Sequence, residues 1–322
     1  MTLLKEIFSH PILIEKPCVL IDVGASGEIH RKWKGIAKYC VCLAFDADDR
    51  KMNYTEQESK NFRRLITINR IVTELSREET DFYLTRSPYC SSALQPDLSA
   101  LEPWLFRDKF EIVKKISLKA ITLSKALEDL NISYIDWFKT DTQGTDLRLY
   151  KSLPDSIRGN ILFAEFEPGL IDSYKGEDKL HQILSYFDTL PYWLAELIIK
   201  GSQRLPSTHY SALGRVETLS IAENLVKAPG WGEMLYCRDF GKSPATELRE
   251  CLLAYAFAYT QRQYGYCLEI VNEAEHISQD PILNRMKSVC LKKIKFKQAN
   301  FFAAGAIIAK RRFSKILSGK TI

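Results

Sequence analysis

The chain has 322 residues, 46% hydrophobic and 26% charged, which is an ordinary globular composition and enough length for one large domain plus a smaller one. No apolar run reaches the roughly eighteen residues of a spanning helix, and the start, MTLLKEIFSHPILIEKP, lacks the apolar core and small-residue cleavage site of a secretion signal. The net charge of +5 is unevenly spread: Pro281 to Ile322 holds eleven Lys/Arg and no acid, which leaves 34 basic against 40 acidic residues in the rest of the chain.

Residues 17–240 alternate short apolar runs with polar helical stretches, as α/β layer folds do. Strands are predicted at 18–24 (CVLIDVG), 39–46 (YCVCLAFD), 64–72 (RLITINRIV) and 80–85 (TDFYLT). Further strands are predicted at 137–141 (WFKTD), 160–167 (NILFAEFE), 217–223 (ETLSIAE) and 233–240 (EMLYCRDF). A helix-length segment, EIHRKWKGIAK, separates the first two strands. A second helix, TLSKALEDLN, precedes WFKTD, with Thr122 or Ser124 as its cap. Repeated strand–helix–strand units require a mostly parallel sheet with right-handed crossovers. Past Gly241 the strand signals vanish. TELRECLLAYAFAYTQRQYGYCLEIVNEAEHIS reads as two amphipathic helices meeting near Tyr264–Gly265, and ILNRMKSVCLKKIKFKQ and NFFAAGAIIAKRRFSKIL as two more. The expected division is an α/β domain over 1–240 and a basic helical extension over 241–322. The eight cysteines form no CxxC pair and sit mostly in apolar runs, which suits reduced, packed thiols in a cytoplasmic protein.

The stretch CVLIDVGASGE carries the first chemical signal. Asp22 occupies the first-glycine position of the dinucleotide fingerprint GxGxxG, ahead of Gly24 and Gly27. A carboxylate there repels a pyrophosphate and suits a cationic ligand such as S-adenosylmethionine, with its amino and sulfonium groups. Gly24 lets the backbone approach a ligand with no Cβ in the way. Asp46, at the end of the second strand, is placed to accept from both ribose hydroxyls. The competing readings are a turn acid capping the next helix for Asp22, and an acid-rich helix N-terminus for Asp46. In WFKTDTQGTDLRLYKSLP an apolar strand end carries Lys139 and Asp141, then Gly144 and a helix. Strand C-termini line the crevice of an open parallel sheet. Asp141, and with it Glu165 and Glu167 of NILFAEFEPG, is therefore expected to face the same crevice as Asp22 and Asp46, or else to cap a helix or pair with a lysine.

Taken in order, DVGASGE, AFDADDR, YCSSALQPD and ITLSKALEDLNISYIDWFKTDTQGTDLRLYKSL, followed by FAEFEP, resemble the FkbM family of S-adenosylmethionine-dependent methyltransferases. The likeness covers about residues 17–170 and is weaker to about 240. It implies a Rossmann-like, mostly parallel seven-stranded sheet of the class I methyltransferase type, with the helical extension outside the resemblance. It also implies a cofactor site built from Asp22, Gly24, Ala25, Gly27, Asp46 and Ser92, and methyl transfer to a hydroxyl of a sugar, glycan or natural product. The chain departs from the family pattern at Asp46, which replaces a glutamate, and at Gln143, where the family commonly has a carboxylate.

Such a transfer is an in-line displacement. Positioning supplies roughly 7–11 kcal/mol of the barrier, and a proton acceptor for the hydroxyl adds about 10²–10⁴-fold. The candidates for the acceptor are Asp141, Glu165 and His209, the last in the polar, loop-like SQRLPSTHYSALG. A divalent metal held by Asp141 and Glu165 is an open alternative. The acid-free KKIKFKQANFFAAGAIIAKRRFSKIL suits an anionic membrane surface, or a helix packed on its own domain. The expectation is a cytoplasmic enzyme, peripheral at the inner membrane face, with a small-molecule or lipid-linked glycan acceptor. Nucleic acid is not expected, since the acidic body has no interleaved aromatic–basic motif. The rival readings are an inactive scaffold whose tail recruits partners, and a nicotinamide oxidoreductase, which Asp22 disfavours.

Overall fold

The computed structural model describes residues 2–25, 30–45, 61–214, 220–221 and 224–295. Helices α1 (Leu3–Phe8) and α2 (Pro11–Glu15) lead into β1 (Val19–Val23), β2 (Val41–Phe45), β3 (Arg64–Ile68), β4 (Ile71–Val72), β5 (Glu79–Thr85) and β6 (Ile112–Ile121). Then come α3 (Leu123–Asp129), β7 (Trp137–Thr140), α4 (Asp146–Lys151), α5 (Asp155–Arg158), β8 (Phe163–Phe166), α6 (Leu180–Asp188), β9 (Tyr192–Gln203), α7 (Ser207–Tyr210) and β10 (Lys227–Arg238). Helices α8 (Leu248–Thr260), α9 (Tyr264–Ile277) and α10 (Ile282–Ile294) end the described chain.

Seven strands make one sheet in the order β3-β2-β1-β7-β8-β10-β9. Neighbours from β3 to β8 are parallel, and β10 is antiparallel to both β8 and β9. The protein is thus α/β with a mostly parallel seven-stranded sheet. After β1 the chain lays β2 and β3 on one side and later β7 and β8 on the other. That reversal opens a crevice beyond the C-terminal ends of β1 and β7. A smaller sheet, β4-β6-β5, takes the predicted strand at 80–85 away from the main one.

Strand parity sorts the residues. Leu20, Trp137 and Phe163 stand in register on one face, while Ile21, Phe138 and Ala164 stand on the other. The second face packs on α3, α4 and α6 through Leu127, Leu149, Tyr150 and Phe187. The first is covered by α1, α2 and the C-terminal helices, and Phe257 of α8 lies 4.9 Å from Trp137 and 5.4 Å from Phe163. Buried Arg249 grips Asp136 with two hydrogen bonds of 2.7 and 2.8 Å, and Asp136 Oδ2 also accepts from Val19 N at 2.8 Å. The helices that begin after residue 241 thus share a core with the sheet. All eight cysteines carry free thiols, and all but Cys90 are buried.

Some expectations need correction. EIHRKWKGIAK is not an α-helix where it is described. It forms two 3₁₀ turns, Arg31–Trp33 and Ala37–Tyr39, around Gly35, a poor residue for a helix interior. RLITINRIV is two strands in different sheets, broken at Asn69–Arg70. Thr122, not Ser124, caps α3, accepting from Lys125 N at 3.2 Å. The strand expected at 217–223 lies mostly outside the described residues, and Ser220 and Ile221 are helical. β6 and β9 were not anticipated: IVKKISLKAI is lysine-rich and mostly exposed, and YWLAELIIKGSQ has no clean alternation. In α10, Arg285 pairs with Glu6 and Lys287 with Glu275, so part of the basic end is neutralised within the fold. The rest of the tail, 296–322, lies outside the described residues. Among the described residues no helix is long and apolar enough to cross a membrane.

Candidate functional site

The crevice at the strand reversal holds two adjoining cavities. The smaller, about 140 Å³, is walled by Val23–Ala25 at the end of β1, Phe45 at the end of β2, Arg70–Val72, Ser91, and Asp141–Gln143 after β7. The larger, about 740 Å³, runs past Phe106, Phe110, Tyr174, Tyr210 and Trp231. Tyr89, Asp141 and Gln143 line both, so the cavities meet there.

The join is built by backbone. Gly24 N and Ala25 N donate to Phe45 O at 2.9 and 3.0 Å, and Asp141 N donates to Val23 O at 2.8 Å. Gly24 sits at φ +86°, and a Cβ there would fall 2.0 Å from Asp141 O. The glycine is required by this contact between two strand ends, before any ligand is considered. Beyond Asp141 the chain turns through Gln143 at φ +59° and Gly144 at φ +114°. A left-handed glutamine is costly and has to be held in place. Ser92 does this: fully buried, its Oγ donates to Gln143 O at 2.9 Å while accepting from Leu94 N at 3.0 Å. The Gln143 side chain in turn donates from Nε2 to Asp141 Oδ1 at 2.7 Å. A carboxylate at 143 would set two negative charges at that separation, whereas the amide fixes Asp141 without competing charge.

Asp146, buried at the first turn of α4, ties this turn to the next strand end. Its Oδ1 accepts from Thr142 N at 3.0 Å and its Oδ2 from Glu167 N at 2.9 Å. Burial raises its carboxyl above the ordinary range. Glu167, one residue past β8, lines the larger cavity. Burial first, then the carboxylates of Asp141, Glu233 and Asp146, push it up to about 9, with Lys139 opposing. Glu177 also lines this cavity but braces its wall. It accepts from Ser173 N and Lys179 Nζ, both at 2.6 Å, and a Cβ on Gly169 would lie 2.6 Å from its Oε2.

The residues singled out in the sequence divide as follows. Gly24, Ala25 and Asp141 line the cleft. Asp22 does not: it is buried on the face covered by the C-terminal helices, with Lys139 Nζ 2.7 Å from its Oδ1. The net charge of that pair is zero, and the carboxyl groups that line the cleft without a lysine or arginine partner among the described residues are those of Asp141 and Glu167. Glu165 is turned the same way by strand parity, in register with Lys139 and Asp22. It accepts from Trp137 Nε1 at 2.7 Å and faces Lys32 Nζ at 2.8 Å and His30 Nε2 at 3.3 Å. Burial would raise it, but His30 and Lys32 outweigh burial and hold it at about 2. Ser92 acts on the turn instead of lining either cavity, where its neighbour Ser91 stands. His209 is exposed on α7, and its neighbour Tyr210 reaches the larger cavity instead. Gly27 and Asp46 lie outside the described residues. Tyr89, Tyr174 and Trp231 were not singled out. They converge from separate segments, and no local periodicity marks them.

No family model and no curated protein matches this chain. Among the described residues no group of three or more His, Cys, Asp or Glu side chains is arranged to hold a metal ion. Asp141 and Glu165, the pair considered for one, are kept apart: Asp141 lies past the end of β7 and lines the cleft, while Glu165, still within β8, faces Lys32 and His30.

Proposed function

We propose that the protein is an S-adenosylmethionine-dependent O-methyltransferase acting on a hydroxyl of a sugar, glycan or other natural product. The observation that carries this reading is the junction of two cavities at Asp141 and Gln143, at the strand reversal of the sheet. In this reading the donor and the acceptor enter from the two cavities and meet at their join, and the group there is a carboxylate. The donor supplies a methyl group on a positively charged sulfur. Asp141 and Glu167 offer carboxyl groups to such a cation, and Lys139 is already paired with Asp22, although Arg70 also lines the smaller cavity and Lys109 and Lys227 the larger. Three of the segments that resemble the FkbM family, DVGASGE, YCSSALQPD and KTDTQG, contribute walls through Gly24–Ala25, Ser91 and Ala93, and Asp141–Gln143.

In this reading Phe106, Tyr174 and Trp231 offer flat apolar faces to an acceptor ring, and Asp141, Glu167 and Gln203 offer polar groups to its hydroxyls. The held turn at 141–144 fixes the carboxylate that both molecules meet. Such positioning is where an in-line displacement gains most.

Thermal unfolding with S-adenosylmethionine or NADH tests the assignment. A hundredfold excess over Kd should stabilise the fold by about 2.7 kcal/mol, a rise of several degrees in Tm, with no response to NADH. A rise with NADH alone overturns the reading, and no response to either ligand leaves the inactive scaffold.

A further inference from the structure

Glu167 stands apart from the other acids of the cleft. Asp141 is engaged by Gln143, Asp146 by Thr142 and the Glu167 backbone, and Glu177 by Ser173 and Lys179. The Glu167 side chain makes no hydrogen bond or ion pair with a described residue, although it is largely buried in the wall of the larger cavity. The groups around it are Asp141 on the turn after β7, Asp146 on α4, Glu233 on β10, and Lys139 on β7, with Tyr174 also within electrostatic reach. Glu233 is paired with Lys200 and Lys139 with Asp22, while Asp141 and Asp146 have no lysine or arginine partner among the described residues; Lys109 and Lys227 also line the cavity. A further negative charge beside Asp141 and Asp146 is unfavourable until a cation enters.

We propose that binding of the cationic methyl donor expels a proton from Glu167, and that the carboxylate so formed takes the proton of the acceptor hydroxyl. The inference rests on the methyltransferase reading above. In the transfer the acceptor oxygen bonds to the methyl carbon, the carbon–sulfur electron pair stays with sulfur, and the hydroxyl proton passes to Glu167. What remains of the donor is a neutral thioether, so the carboxylic acid persists until the next cation displaces its proton to solvent. One proton leaves per methyl transferred, and the base is formed only when there is a methyl group to transfer. The raised proton affinity of Glu167 in the empty cleft agrees with this cycle.

Titration calorimetry near neutral pH, in buffers of different ionisation enthalpy, counts the protons released on binding. S-adenosylmethionine should release about one proton per site. S-adenosylhomocysteine, which lacks the methyl group and with it the sulfonium charge, should release close to none. Glu167→Gln should still bind S-adenosylmethionine, with the release lost. The two ligands can be compared on the unaltered protein, so the test stands even if the variant folds poorly. Equal release with both ligands, or full release from Glu167→Gln, overturns the inference and leaves the methyltransferase reading intact. Failure of both ligands to bind overturns that reading and the inference with it.

Discussion

Glu165 and Glu167 are two positions apart and meet opposite environments. Glu165 is still inside the ladder, paired in register with Lys139 and Leu235, and so points to the helix-covered face. Glu167 lies past the last paired residue and enters the cleft. The sequence placed both at one strand end, because an apolar run with two acids does not say where pairing stops, and a shift of one residue turns a side chain to the other face. Asp22 illustrates the same limit, since nothing local announces that a lysine 117 residues away will neutralise it. The two glutamates also predict opposite pH dependences. Glu167 keeps its proton in the folded state up to about 9 against an ordinary 4.5, so the wild-type protein loses stability as pH rises between those values. Glu167→Gln should remove that loss, with urea unfolding at alkaline pH showing a gain of roughly 1–3 kcal/mol over wild type that disappears near pH 4. Glu165, held at about 2, contributes stability that is present above about 4.5 and lost as the solution is acidified towards 2.

At the scale of elements, the site depends on two strand ends touching. β1 and β7 are joined through Gly24 and Asp141, and the turn after β7 is pinned by Ser92 from the segment that follows β5. The glycine was legible as a position where a Cβ is not tolerated, but the reason was not, because the obstructing atom is a carbonyl on another strand. Gly24→Ala should cost at least about 1–3 kcal/mol from its left-handed backbone alone. The clash with Asp141 O adds to that and should widen the cleft. Denaturant melts would register the loss, and donor binding by calorimetry should weaken in parallel. Unchanged stability in this variant would mean that the two strand ends are not in contact. The strands that escaped the sequence reading, β6 and β9, are long and partly exposed, with lysines on faces that a buried strand would keep apolar.

For the molecule as a whole, the alternation of strand and helix signals up to residue 240, and their disappearance afterwards, sufficed to anticipate an α/β body followed by helices. That the helices complete the body was not legible. The first crossover supplies only 3₁₀ turns among its described residues, so α8, α9 and α10 cover a face that crossover helices would otherwise occupy. Arg249 is the tie: its guanidinium satisfies Asp136 and the carbonyls of Lys16 and Pro17. Arg249→Met leaves a buried carboxylate unpaired and should cost about 3–5 kcal/mol. The double variant with Asp136→Asn should recover part of it, which a double-mutant cycle of Tm values would measure.

This arrangement has a consequence for the nascent chain. When the ribosome has released the seven strands, Trp33, Trp137 and Phe163 still await the segment 248–294 that will cover them. At about 5–20 residues per second the missing cover takes several seconds to emerge. Through that interval an aromatic surface is open to water and to neighbouring polypeptides, so chaperone demand should rise once the strands are out and fall once α8, α9 and α10 have emerged.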